Sequence, residues 1–253
     1  MRRFNKLVVN EWLKMSKKRS FFIAYAVLLL ATIGFTYIIL EMSNDHDLPS
    51  VLDFTTMLIG RSGLGQITSF LAIIYSAGVL AKEYQLGTIK LLLIRGHSRS
   101  AVLASKYVAV MLFVLSLVLF SLAAALIAGF VTLDYSGGES NWSDVWLTAL
   151  YQTVYTVIYV TLTFMFGVLT KSAGATIGIG MLAVLLESIF NAFLAKYGFY
   201  KYFLFLNTDL SVYRMGETPA TGMSLTFSSI VAAVYVLLFL GVSFVTFKKR
   251  DIA

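Results

Sequence analysis

Residues 81–106 read AKEYQLGTIKLLLIRGHSRSAVLASK and form the longest basic segment between the apolar runs of this chain. The segment carries five Lys and Arg residues and one acid, Glu83. Each flanking run is long enough to cross a bilayer, because an α-helix of about 20 apolar residues spans the hydrocarbon layer. The pattern predicts a cytoplasmic loop between two membrane-spanning helices.

The composition of the whole chain is that of a membrane protein. Of its 253 residues 58% are hydrophobic and 13% are charged, whereas soluble domains are about a quarter charged. We therefore predict an all-α polytopic membrane protein. The absence of cysteine excludes disulfides and Cys-ligated metal sites. The net charge of +7 is attributed to basic flanks on the cytoplasmic side, and no nucleic-acid partner is expected.

The apolar runs predict six spans within a single transmembrane domain that covers residues 1–253. Their approximate ranges are 21–40, 64–81, 107–133, 145–169, 173–194 and 225–247. The first run is too long for the apolar region of a signal peptide, so it is predicted to be a retained span. Residues 51–59 are predicted to form a short helix outside the membrane. Residues 196–223 are predicted to form an outside loop with interfacial helical turns.

The first 19 residues are basic and amphipathic. Apolar side chains recur at steps of three and four residues, at Phe4, Leu7, Val8, Trp12 and Met15. This spacing places them on one face of a helix. Such a helix is predicted to lie in the headgroup layer with that face turned toward the lipid, before the chain enters the first span.

The distribution of basic residues predicts the orientation. Sixteen Lys and Arg residues fall in the N-terminal segment, the 81–106 loop, the turn at Lys171 and the C-terminus, and four fall on the other side. Cytoplasmic loops carry such an excess, so both termini are predicted to be cytoplasmic. The expected location is a bacterial cell membrane, crossed several times.

Nucleotide hydrolysis by this chain is not expected. The segment GRSGLGQIT at residues 60–68 has the glycine spacing of a phosphate-binding loop, but Gln66 and Ile67 stand where that loop needs Lys and Ser or Thr. The two histidines, His46 and His97, are predicted on opposite sides of the membrane, so no His-based metal site is expected. No catalytic motif is found, and we expect no enzymatic activity in this chain.

Glu187 is the only acid predicted inside a span. It lies about 21 Å along the fifth span from its cytoplasmic start, with Asn191 one turn further on the same face. A carboxylate at this depth faces protein or water. Two interpretations stay open. Glu187 and Asn191 could line a substrate path, with Glu187 in substrate contact or proton coupling, or Glu187 could form an interhelical hydrogen bond with tyrosines or threonines of the fourth span. In the same span Gly174 and Gly178 form a GxxxG pattern, which we interpret as packing within the chain in preference to a dimer interface.

Several stretches resemble the permease subunits of ABC-2 type exporters, also called type V ABC exporters. They are NEWLKMSKKR before the first span, the loop motif Glu83, Gly87-Thr88-Ile89-Lys90, Leu92, Ser98-Arg99 and Lys106, and the terminal Phe247 with Arg250-Asp251-Ile252. With the six-span topology the resemblance covers nearly the whole chain. Gly96-His97 departs from it, because family members often have a proline-containing turn there.

The resemblance implies a permease that pairs with a second permease, as a homodimer or a heterodimer, and binds a separate ABC ATPase subunit. ATP and Mg would be bound by that partner, and this chain would hold no cofactor. The residues implied to couple to the ATPase are Trp12, Lys14, Glu83, Gly87, Thr88, Lys90, Gly96, Ser98 and Arg99. Independently of the resemblance, Gln85–Ile94 is long enough for a short helix, and Ser98 is a suitable N-cap for a helix that continues into the third span.

Two other functions stay open. The chain could be a channel or secondary transporter that works without ATP, or an integral-membrane enzyme acting on lipid or peptide. The sequence does not specify a substrate, and peptide, lipid, drug and ion are all compatible with it.

Overall fold

The computed structural model describes residues 2–43, 48–85, 98–135, 138–194, 196–216 and 218–249. The N-terminal helix α1 (Arg2–Ser16) precedes α2 (Arg19–Met42), α3 (Val51–Ile59), a π-helical segment (Arg61–Gly65) and α4 (Gln66–Gln85). The chain continues with α5 (Arg99–Thr132), α6 (Trp142–Thr170) and α7 (Ala173–Leu194). Three short 3-10 helices (Gly198–Tyr202, Leu204–Asn207, Leu210–Met215) lead to α8 (Leu225–Lys249). No β-strand occurs in these ranges.

The prediction of an all-α polytopic membrane protein is confirmed. Six helical stretches among the described residues are long and apolar enough to cross a membrane. The most buried is α6, which packs against α4, α7 and α8 and forms the centre of the bundle. The large side chains Phe113, Tyr159 and Phe164 are fully buried in this core. By contrast, the apolar faces of α2, α7 and α8 are mostly exposed, as expected for helices that face lipid or another membrane protein.

The second span differs from its predicted range. One helical stretch that is long and apolar enough to cross a membrane runs from Val51 to Val79, whereas the sequence predicts a start near residue 64. Helix α3 does not stand apart from the bundle, because Phe54 and Leu58 are buried against α5 and α6. Burial of this face explains why a nine-residue helix that would be unstable alone is ordered here. Residues 60–65 are therefore a break inside a packed span and not a loop that leads into it.

Gly63 makes this break possible. A Cβ atom at Gly63 would overlap the backbone carbonyl oxygen of Leu58. The amide of Gln152 in α6 closes the break, because its Nε2 atom donates to the carbonyl oxygen of Gly65 at 2.7 Å. A side chain from a neighbouring helix thus satisfies a backbone group that the helix break has freed.

We expect Gly63→Ala to lower the stability of the protein by about 1–3 kcal/mol, because backbone atoms must move to admit the methyl group. The apparent melting temperature in detergent measures this loss. Gly34→Ala in α2 is the matched control, since a Cβ atom there meets nothing within 4 Å. Equal melting temperatures for the two variants would contradict the close approach at Gly63.

The N-terminal helix is present, but its predicted apolar face packs on protein. Met15 on that face is buried, and the ring of Trp12 contacts the ring of Phe21 edge-on at 5.8 Å between centroids.

The interpretation of the GxxxG pattern as packing within the chain is wrong for the described residues. Space around Gly174 and Gly178 is open, because a Cβ atom at either position meets nothing within 4 Å.

Candidate functional site

Two clusters of paired charges lie at opposite ends of the bundle. One joins α1 to α5 near the chain termini, and the other lies at the break in the second span. Isolated charges inside a membrane protein are costly and are paired or exposed to water. Both clusters are therefore candidate sites.

The first cluster fixes α1 to the bundle. The Lys106 side chain of α5 is fully buried, and its Nζ atom lies 2.8 Å from Oε2 of Glu11. The other oxygen of Glu11 accepts a hydrogen bond from Lys14 Nζ at 2.9 Å. Burial alone would raise the pKa of the Glu11 carboxyl, but Lys106 and Lys14 outweigh burial and hold that pKa below its ordinary value. Glu11 is therefore a carboxylate at neutral pH.

Helix α1 is also held by α4. The hydroxyl of Tyr75 in α4 donates to the backbone carbonyl oxygen of Met15 at 3.1 Å. Since α4 ends at Gln85 and α5 begins at Arg99, α1 is bonded to both helices that flank residues 86–97. We call the assembly of α1 with the neighbouring parts of α4 and α5 the N-terminal platform.

The resemblance implied nine residues that couple to an ATPase. Those that lie within the described ranges are on the N-terminal platform or next to it. Trp12 and Lys14 belong to α1, and Glu83 lies in the last turn of α4. Ser98 is the N-cap of α5, as predicted, and accepts a hydrogen bond from the Ala101 amide at 3.2 Å. Arg99 donates to the carbonyl oxygen of Lys248 in α8 at 3.1 Å. Gly87, Thr88, Lys90 and Gly96 lie outside the described residues.

The second cluster surrounds Glu187, which is fully buried in α7. Its Oε2 atom accepts hydrogen bonds from the hydroxyls of Tyr155 at 3.0 Å and Tyr159 at 2.8 Å. Thr208 donates to Oε1 at 2.7 Å. The interhelical contact with tyrosines of the fourth span is thus present, while a part for Glu187 in a substrate path stays a prediction.

Arg61 is the residue that sequence reasoning missed. Its Nη2 atom lies 2.9 Å from Glu187 Oε2 and its Nη1 atom 3.2 Å from Asp209 Oδ2. The guanidinium also lies over the ring of Tyr155, 5.1 Å from the centroid. A signal existed in the sequence: Arg61 is the one cation between the apolar runs 51–59 and 64–81. It would have been noticed if residues 51–59 had been assigned to the span.

Asn191 does not share these contacts. Its side chain bonds instead to the segment after α7, donating to the Phe205 carbonyl oxygen at 3.4 Å and accepting from the Tyr200 hydroxyl. It therefore fixes the 3-10 helices against α7. Within the described ranges no group of three or more His, Asp or Glu side chains is arranged to hold a metal ion.

The six long apolar helical stretches define a multi-pass membrane protein. The chain belongs to the family described as "Protein of unknown function (DUF2705)", whose model matches residues 13–253. It is similar to "Uncharacterized protein YhcI" of Bacillus subtilis (strain 168), with 27% identity across 98% of this chain and 99% of the relative. It is also similar to "Uncharacterized membrane protein YdbK" of the same organism, with 27% identity across 85% of this chain and 87% of that relative.

Proposed function

We propose that this chain is the membrane-spanning permease subunit of an ATP-driven ABC exporter, with ATP and Mg bound by a separate ATPase subunit. In this proposal the N-terminal platform lies on the cytoplasmic side of a bacterial cell membrane together with both termini. The ATPase contacts the platform and the adjoining residues 86–97.

The observation that carries the proposal is the attachment of α1 to both α4 and α5. An exposed salt bridge contributes little to rigidity or stability, whereas breaking a buried one is costly. Because the Glu11–Lys106 contact is buried, a push on α1 moves α5 with it. A displacement applied at the cytoplasmic side is then transmitted along the 34 residues of α5 and through the membrane.

We also propose that the chain pairs with a second permease to form a dimer. The open faces at Gly174 and Gly178 allow a second helix to approach α7 closely, as small residues do at helix–helix contacts in membranes. Pairing with a second permease, either another copy or a different chain, would cover this face.

Co-purification tests the proposed ATPase partner. We expect an affinity-tagged chain, extracted from its native membranes in mild detergent, to recover an ATPase subunit with a nucleotide-binding domain. Arg99→Glu is expected to reduce this recovery several-fold, because it reverses a charge at the platform. Lys196→Glu at the other end of the bundle is the control and should leave recovery unchanged.

Recovery of the intact chain without any nucleotide-binding protein would contradict the proposal and favour an ATP-independent channel or transporter. An equal loss of the ATPase in both variants would show that the contact does not involve the platform. The elution volume of each variant in size-exclusion chromatography reports whether it has folded.

A further inference from the structure

A polar cavity of about 860 Å³ lies beside the break in the second span. It is bordered by the π-helical segment, the first half of α6, the second half of α7 and the last 3-10 helix. These parts place it in the half of the bundle opposite the N-terminal platform. Its volume falls within the range of small-molecule binding sites.

Every charged side chain that lines the cavity already has an oppositely charged partner. Arg61 contacts Glu187 and Asp209, and Arg214 Nη2 lies 3.0 Å from Asp144 Oδ1. A charged ligand would have to break one of these pairs or bind without an oppositely charged partner. The charged groups of the cavity therefore leave no unpaired partner for an ionic ligand.

The neutral polar side chains are the ones left available. Four of them line the cavity and have no hydrogen-bond partner within the part of the chain that the structure describes: Ser62, Gln66, Tyr151 and Ser188. Their hydroxyl and amide groups can both donate and accept hydrogen bonds. Met57, Val184 and Leu185 supply an apolar part of the same wall.

We propose that this cavity binds an uncharged amphipathic molecule that carries hydroxyl or amide groups, and that the cavity opens to the extracytoplasmic side. The available polar groups would bind the hydrogen-bonding part of the ligand, and the apolar wall would contact its hydrocarbon part. Glu187 acts indirectly, by holding Arg61 in place at the side of the cavity. The inference needs no ATPase and stands or falls separately from the proposed function.

Cysteine labelling tests the opening of the cavity, since the chain contains no natural cysteine. We expect Ser188→Cys in intact cells to react with a membrane-impermeant thiol reagent. Ile189→Cys is the control at the same depth, because Ile189 is exposed but does not line the cavity. It should react at least several-fold more slowly, since a thiol in lipid does not ionise.

Ser100→Cys, which is exposed at the start of α5, provides the control for the other side of the membrane. It should react only after permeabilisation. Reaction of Ser188→Cys only after permeabilisation, or at the rate of Ile189→Cys, would overturn the extracytoplasmic opening. Ser62→Cys gives a second position in the cavity if Ser188→Cys does not reach the membrane.

Three probes with the same alkyl chain test the ligand class: octyl glucoside, octyl sulfate and octyltrimethylammonium, each below its critical micelle concentration. We expect octyl glucoside to slow the labelling of Ser188→Cys several-fold and the charged probes to have little effect. Adding Gln66→Leu should remove this protection and leave the unprotected labelling rate unchanged. Stronger protection by a charged probe, or protection by none of the three, would overturn the proposed ligand class.

Discussion

Replacing Glu187 by alanine is expected to lower the stability of this protein by about 3–5 kcal/mol, because buried hydroxyl donors lose their acceptor at a cost of about 1–3 kcal/mol each. The substitution removes the acceptor of three hydroxyl groups and one guanidinium contact. Such a loss corresponds to a fall of roughly 10 °C in the apparent melting temperature in detergent. Glu139→Gln, at an exposed position, is the control and should melt within a degree or two of the unmodified protein.

Glu187→Gln separates the two interpretations of this residue. Glutamine keeps an acceptor oxygen for Tyr159 or Thr208 but loses the charge that pairs with Arg61, so its melting temperature should fall less than that of Glu187→Ala. If Glu187→Gln folds normally but changes the labelling rate of Ser188→Cys, the negative charge of Glu187 contributes to the function of the cavity. Unchanged stability in Glu187→Ala would contradict the structural importance of the cluster.

Removing the carboxylate of Glu11 is the second change with a large expected effect. In Glu11→Gln the buried ammonium of Lys106 loses the carboxylate that it contacts at 2.8 Å. We expect a loss of about 3–5 kcal/mol and partial release of α1 from the bundle. The melting temperature measures the first effect. Faster reaction of a buried Met15→Cys thiol with a thiol reagent measures the second.

Lys14→Met is the control for the loss of the Glu11–Lys106 ion pair. Lys14 contacts the same carboxylate, but its side chain is 41% exposed, so its loss should cost less than about 1 kcal/mol. The exchange Glu11→Lys with Lys106→Glu should recover part of the stability that each single change removes. If the two single effects simply add in the exchanged protein, the proposed coupling between the residues is absent.

The Glu11–Lys106 ion pair also predicts how the stability of the protein depends on pH. The pKa of the Glu11 carboxyl is lower in the folded protein than in the unfolded chain, so folding is favoured by the ionised form. The contribution of the ion pair is therefore complete above the ordinary range of carboxyl pKa values. It is lost as the pH falls through the lowered pKa. A melting temperature that responds equally to acid in the unmodified protein and in Glu11→Gln would contradict this assignment.

The six spans could be predicted because long apolar runs leave few structural alternatives in a membrane. The start of the second span could not, since Asp53, Thr55, Thr56 and Arg61 lower the hydropathy of residues 51–65. The Thr55 and Thr56 hydroxyls donate to backbone carbonyls one turn earlier in α3, whereas the charged groups of Asp53 and Arg61 are satisfied by tertiary contacts. For example, the Asp53 carboxylate accepts hydrogen bonds from the amides of Glu139 and Ser140 at 3.2 and 2.8 Å. Contacts between residues more than 80 positions apart leave no periodic pattern in the sequence.

The two buried clusters were only partly predictable. Glu187 stood out as an acid inside a span, but its partner Arg61 was hidden by the range assigned to the second span. Glu11 carried an unused signal: it lies three and four residues after Val8 and Leu7, on the apolar face of α1. An acid on an apolar face indicates a buried cation. That the cation is Lys106 depends on how α1 packs against α5, which the local sequence does not encode.

The most direct test of an ATP-driven permease is whether the ATPase partner changes the cavity at the opposite end of the bundle. The labelling rate of Ser188→Cys can be measured in membrane vesicles that contain the partner, with and without ATP and vanadate. We predict a several-fold change in rate on trapping with ATP and vanadate, and no change once Glu11→Gln has loosened the platform. An identical rate in both nucleotide states, while the partner hydrolyses ATP in the same vesicles, would contradict the proposed function.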